Sequence, residues 1–408
     1  MLLSIALIII ISLMLAKIMN LLKIPSMIGM LLAGILLGPY VLNLIADPIL
    51  EVSSELRQMA LIVILLRAGL ALKLEDFKKM GKPALLMAFV PATIELIGVI
   101  ILGPLLFPIS FLEAALLGSI LAAVSPAVVV PRMIRLMESG YGKKKHIPQL
   151  ILSGASLDDV YVIILFTSFL QAILHGEFSM MMLVQVPSAI LLGIGLGLGM
   201  GYLSVYFFKR FHMRDTVKVL ILFSISFLFL VLEESIKPTV FLSGLLAVMT
   251  CGGMIHHRYP VLAKRLVSKF EKIWVIAEII LFVMVGAAVN LSVMPSIGLS
   301  ALLLVIGALL FRMGGVYLAL LGSKLHAKEK LFVSLAYLPK ATVQAAIGAI
   351  PLSMGISSGY MMLAVAVFAI IVTAPLGAIL IDWTAPHLLD VEMGQNQSKR
   401  STIEEKSS

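Results

Sequence analysis

Asp158 and Asp159 stand side by side in the segment SGASLDDVYVIILF, near the middle of an apolar run. Neighbouring side chains on a helix point about 100° apart. Both carboxylates can therefore line one cavity if their helix borders it. Two close carboxylates repel, and burial disfavours their charge, so a proton is held until a cation replaces it. Carboxylate oxygens are hard ligands that suit Na+ or Li+. One site can thus accept either protons or a metal ion, which is the chemistry of exchange. The competing reading is a structural pair satisfied by cations on neighbouring helices.

Other ionisable groups lie in apolar runs too: Glu95, Arg312 and Lys340 near the middle, Arg67 and Glu278 nearer the ends. Such a group at membrane depth costs several kcal/mol and marks function by default. Lys340 sits in LPKATVQAA beside Pro339, and Ser125 precedes Pro126 in AAVSPAVVV. Proline removes a backbone donor and breaks a helix. In lipid, a broken backbone is tolerated only where it is buried or lines a cavity. Two such breaks in corresponding helices point to a binding site. The candidate ion- and proton-binding set is therefore Asp158, Asp159 and Ser125, with the two aspartates as ligands to a transported Na+ or Li+. Pro126 and Pro339 mark the breaks. Glu95 and Arg312 read as a structural ion pair. Arginine stays protonated, whereas a desolvated lysine can release its proton, so Lys340 is the better proton carrier.

These residues need elements to position them, and the composition says what kind. Of 408 residues, 61% are hydrophobic and 13% charged. Soluble domains hold nearer a quarter charged residues, so lipid must be the solvent for much of this chain. Membrane helices need about 20 apolar residues. Runs at 2–19, 25–42, 57–72, 83–107, 112–134, 148–174, 180–208, 217–232, 238–254, 272–291, 298–321, 331–352 and 360–381 supply about thirteen of them. Glu233, Glu234, Lys237 and Pro238 divide the eighth from the ninth.

The formal charge of +9 is a topology signal. Basic residues gather in alternate loops: Lys17 and Lys23, then 73–82, 132–145, 209–218, 258–272, 324–330 and the tail. The intervening loops offer Lys237, with Arg57 at a helix edge. Positive charge stays inside, so the N-terminus is expected outside and the C-terminus inside. A nucleic-acid partner is excluded on the same ground. The first run has no basic residue before it and reads as a retained span, not a cleaved leader. Residues 1–391 form the membrane domain and 392–408 a short polar cytoplasmic tail.

The breaks lie seven spans apart and so run in opposite directions, the geometry of an inverted repeat. Ala123, Pro126 and Val130 align with Ala336, Pro339 and Val343. The same repeat places Glu95 and Arg312 on corresponding spans. The string GIGLGLGMG lies in an apolar run, not after a soluble strand, so it is no phosphate loop. Gly193, Gly197 and Gly201 instead make a stripe for close helix packing. His256, His257 and Arg258 read as a basic loop. The single cysteine, Cys251, reads as a small packed residue. No cofactor and no enzymatic activity is expected.

The segments PSMIGMLLAGILLGP, PATIELIG, AAVSPAVVVP, SGASLDDV and LPKATVQAAIG spread over most of the chain. Together they resemble the second class of monovalent cation:proton antiporters, in its NHA branch with an Asp-Asp pair. The resemblance implies an all-α polytopic fold, with two crossed, discontinuous helices beside the acid pair. It implies a homodimer with a panel-like dimerisation unit and a moving core, in lipid, placed in a bacterial plasma membrane. Asp159 would be the principal Na+/Li+ and proton site and Asp158 its neighbour. Lys340 would neutralise the pair or compete with the cation. Glu95 and Arg312 match the branch's intramembrane ion pair. Many bacterial Asp-Asp members carry a lysine on the helix that here bears Arg312, so two aspartates alone do not imply an electrogenic cycle.

Two alternatives are carried forward. A K+/H+ antiporter or cation channel could use the same scaffold. An intramembrane aspartyl protease would need acids from two helices sharing a proton face to face. Here they adjoin on one helix, and no Gly-x-Gly-Asp motif is present.

Overall fold

A computed structural model describes residues 1–71, 74–175, 182–236, 242–290 and 294–391. The polar tail 392–408, Lys73, and the Lys237-Pro238 break lie outside them. The described chain is helical. Its elements are α1 (Leu2–Leu21), α2 (Ser26–Leu37), α3 (Asp47–Glu51), α4 (Ser53–Ala71), α5 (Leu74–Leu106) and α6 (Phe111–Leu121). There follow α7 (Pro126–Glu138), α8 (Ile147–His175), α9 (Met182–Arg210), α10 (Asp215–Ile236), α11 (Gly244–Arg258) and α12 (Pro260–Ala287). The last are α13 (Met294–Ala319), α14 (Ala327–Ala336), α15 (Thr342–Ile347), α16 (Ile350–Ser353) and α17 (Gly359–Leu388). Among the described residues there is no strand, only an isolated bridge between Tyr141 and Val391.

The all-α membrane class holds. Counting α6 and α7 together, seven helical stretches are long and apolar enough to cross a membrane by length and composition. Shorter apolar helices lie at Ser26–Leu37, Tyr161–Leu174 and Thr342–Ser353. Each apolar run of the sequence falls on a helix or a broken pair of helices. Several boundaries differ. The helix of the fourth run, α5, starts at Leu74, before its run, and that of the tenth run, α12, at Pro260. Backbone bonding continues past the apolar stretch because the helix ladder is satisfied internally wherever it runs. Glu233 and Glu234 do not break the chain; they lie in the last turn of α10. Glu233 instead accepts the N–H of Gly244 at 2.9 Å, satisfying an orphan donor at the start of α11. His256, His257 and Arg258 are likewise not a loop but the last turn of α11, with His256 Nδ1 2.6 Å from Leu70 O.

Packing follows the side-chain pattern. α1 buries only Ser4, Ile8, Ser12 and Ala16, every fourth residue along one stripe, while Leu2, Leu3, Ile10 and Leu13 face outward. A water-facing helix would present the reverse. Gly193, Gly197 and Gly201 of α9 lie against the backbone oxygens of Ser243, Ala247 and Cys251, where a Cβ would collide. That stripe joins α9 to α11, and Cys251 is buried there. Helices α1, α2, α4 and α9–α12 pack mainly on one another. Helices α5–α8 and α13–α17 pack mainly among themselves, and they carry every site residue.

Candidate functional site

Two helices stop and restart inside this second group. α6 ends at Leu121 and α7 begins at Pro126; α14 ends at Ala336 and α15 begins at Thr342. Proline suits the first helical position, since its missing N–H would have no helical partner there. It also pushes the preceding residue out of the helical region, and Ser125 has φ −82°, ψ 109°. The breaks meet each other: Ser125 N–H donates to Pro339 O at 2.8 Å. Gln344 Nε2 donates across the gap to Ala123 O at 2.9 Å and Leu121 O at 3.3 Å. Lys340 N–H donates to Thr373 Oγ1 of α17 at 2.9 Å.

Each break exposes helix carbonyls that need donors. Arg312 of α13 serves both. Its Nε donates to Tyr337 O at 2.7 Å, and its Nη1 donates to Ala122 O. A cation beside the C-terminal ends of two half-helices is also favoured by their dipoles. The same guanidinium pairs with Glu95 of α5 at 2.5 Å and with Asp158 of α8 at 2.7 Å. Its plane lies over the ring of Tyr337, 5.4 Å from the centroid. Arg312 is fully buried. A planar fork of five donors can meet four acceptors in this way, and a lysine cannot.

The Glu95–Arg312 pair read from the sequence is therefore part of something larger. Lys340 Nζ lies 2.7 Å from Glu95 Oε2. The resemblance implies that this lysine neutralises the acid pair; the direct partner of Asp158 is Arg312, and that of Lys340 is Glu95. Arg312 spans both breaks and both acids, and it shares Glu95 Oε2 with Lys340. Asp158 Oδ2 also accepts the N–H of Val124, inside the first break, at 2.9 Å. Glu95 and Asp158 thus face Arg312 and Lys340 in a sealed cluster of two acids and two bases.

Asp159 is different. It is 4% exposed, and among the described residues it has no salt-bridge partner. Its Oδ1 is buried without a hydrogen-bond partner. It lines a cavity of about 1130 Å³, together with Thr342, Pro126, Glu278, Arg67 and Arg132. Arg132 pairs with Asp382 at 3.2 Å on the same cavity wall. Ser125 lies fully buried at the first break, and its Oγ also lacks a partner. Arg67, Arg132 and Arg135 line the same cavity as Asp159, and none of them forms an ion pair with it. The protease alternative lacks its geometry, because Asp158 is held by a guanidinium and does not face a second acid.

Sequence reading missed Thr342, Gln344 and Thr373. All three are neutral, and only the charge and proline of LPKATVQAA stand out in an apolar run. The available signal was position: two of them flank a break where carbonyls and N–H groups lack helical partners.

A helical membrane scaffold with two broken helices meeting beside a buried acid pair defines a secondary transporter. The chain belongs to the family described as "Sodium/hydrogen exchanger, transmembrane", whose profile matches residues 5–385. The family expected from the motifs is the family found. The chain is 32% identical over 378 residues to Sodium/hydrogen exchanger 9B2 of Mus musculus, covering 90% of this chain and 68% of that protein. It is 30% identical over 397 residues to Sodium/hydrogen exchanger 9B1 of Homo sapiens, covering 91% and 75%. Its fold matches the sodium proton antiporter MjNhaP1 of Methanocaldococcus jannaschii with a TM-score of 0.82 at 24% identity, over 94% of this chain and 97% of that one.

Proposed function

We propose that this chain exchanges Na+ (or Li+) for H+ across its membrane by alternating access, with Asp159 as the exchanging carboxylate. The observation that carries this is the division of the acid pair. Asp158 is held by Arg312 and Val124, whereas Asp159 borders the cavity and has no ion-pair partner among the described residues. An entering cation replaces the proton on Asp159, and the proton leaves through the same cavity. Moving the site to the other face then needs Asp159 loaded with one or the other, because a bare buried carboxylate is costly. Arg312 keeps both breaks and Asp158 fixed while this happens. Lys340, held by Glu95, acts on the pair through the field of the cluster. Ser125 is a neutral ligand from the first break.

The alternation of loop charge supports thirteen crossings, with the N-terminus outside and the tail inside. In that orientation the cavity, walled by Arg132 and Arg135, opens to the cytoplasm. The reading extends to a homodimer in a bacterial plasma membrane, which rests on the motifs alone.

Purified protein in liposomes with an imposed pH gradient and a trapped pH dye tests this. Na+ and Li+ should dissipate the gradient, K+ and choline should not, and Asp159→Asn should abolish the signal. Full exchange by Asp159→Asn, or dissipation by K+ alone, would overturn the assignment.

A further inference from the structure

Several buried side-chain oxygens lack a partner among the described residues, but only two of them line the cavity: Asp159 Oδ1 and Thr342 Oγ1. A buried hydroxyl without a partner is uncommon and calls for an explanation. Elsewhere in this chain helical hydroxyls bond back to the preceding turn, as Thr167 does to Ile163 O, Thr250 to Leu246 O and Thr384 to Leu380 O. Thr342 is the first residue of α15, and the chain before it is broken. No preceding helical turn offers it a carbonyl, so its oxygen is left over. The residue is 3% exposed. Valine would fill the same volume, and Val343 follows it in the same helix. Only the hydroxyl distinguishes the two side chains.

We infer that the Thr342 hydroxyl is an oxygen ligand of the exchanged cation, so that the second broken helix sets cation affinity at the cavity floor. This rests on the exchange reading above. One carboxylate with neutral hydroxyl ligands gives a site of single negative charge, matched to a monovalent hard cation. The unpartnered Oγ1 would then find its partner only when the cation is bound. Ser125 brings a hydroxyl from the first break and Thr342 one from the second, so loading with the cation ties both broken helices to α8.

The test is Na+-driven exchange in liposomes, with apparent KM and maximal rate measured separately. Thr342→Val should raise the KM for Na+ roughly tenfold, the scale of one lost polar contact to a charge, with the maximal rate within about twofold. Thr342→Ala removes the same oxygen with a smaller side chain and should raise KM alike. Thr342→Ser restores the oxygen and should return KM to within about twofold of the wild type. A structural role would not be rescued through KM alone. A wild-type KM in Thr342→Val or Thr342→Ala, or Thr342→Ser as impaired as Thr342→Val, would overturn the ligand role. Wild-type protein that exchanges normally in that case leaves the exchange reading standing. Wild-type protein that shows no Na+-driven exchange removes both.

Discussion

Two regions a few residues apart treat buried charge in opposite ways. In the cluster, Glu95, Asp158, Arg312 and Lys340 balance one another's charge, although Glu95 Oε1 and Asp158 Oδ1 accept no hydrogen bond, and Arg312 also holds the carbonyls of both helix breaks. On the cavity wall, Asp159 has no ion-pair partner among the described residues, and Thr342 presents a hydroxyl with no hydrogen-bond partner. Adjacent positions on one helix thus serve different ends. Asp158 points into a closed network that fixes the scaffold, and Asp159 faces a space that a small ion can enter. An exchanger needs both conditions. The backbone must stay broken without collapsing, and in the proposed exchange the carboxylate that is not ion-paired is the one open to a proton or a cation.

The comparison predicts damage of different kinds, and the largest lies in the cluster. Arg312→Ala strips four acceptors of their donor and leaves two buried acids facing one cation. Breaking a buried charge network in this way costs about 3–5 kcal/mol. Thermal unfolding in detergent should show a large fall, with Glu95→Gln falling less because a hydrogen-bonding side chain remains. Arg312→Lys should recover only part, since one ammonium cannot reach both breaks. Melting unchanged in Arg312→Ala would break the distinction between the two regions.

A smaller effect is expected at Gln344, whose amide bonds Leu121 O and Ala123 O. Gln344→Leu leaves both carbonyls buried without that donor, a loss of about 1–3 kcal/mol. Unfolding should shift in proportion while the cation KM moves little, because Gln344 does not line the cavity. A large KM change with unaltered melting would place Gln344 on the exchange side of the comparison.

Much of the scaffold was legible in the sequence. Apolar runs of membrane length stand out wherever helices must face lipid, and each run falls on a helix. Pro126 and Pro339 marked both breaks because proline cannot continue a helical ladder. The meeting of Glu95 with Arg312 across 217 positions was readable because isolated charges in lipid must find each other. What was not legible is how partners divide. Arg312 binds Ala122 O and Tyr337 O, which are backbone atoms exposed only because the helices break, and no residue type announces them. Arg312 pairs with both Asp158 and Glu95, and Lys340, in the second break, shares Glu95 with it. Thr342 and Gln344 carry no charge and blend into an apolar segment. The end of α10 was misplaced for a related reason: Glu233 looked like a breaker, yet its carboxylate finds the N–H of Gly244.

In the proposed exchange Asp159, and not the sealed cluster, meets the cation. A ligand that binds only the folded state raises its melting temperature by mass action. Melting can therefore be followed for wild type and Asp159→Asn while Na+ replaces choline at constant ionic strength. Na+ should raise the wild-type midpoint and leave that of Asp159→Asn unmoved. An equal Na+-dependent rise in both proteins would contradict it.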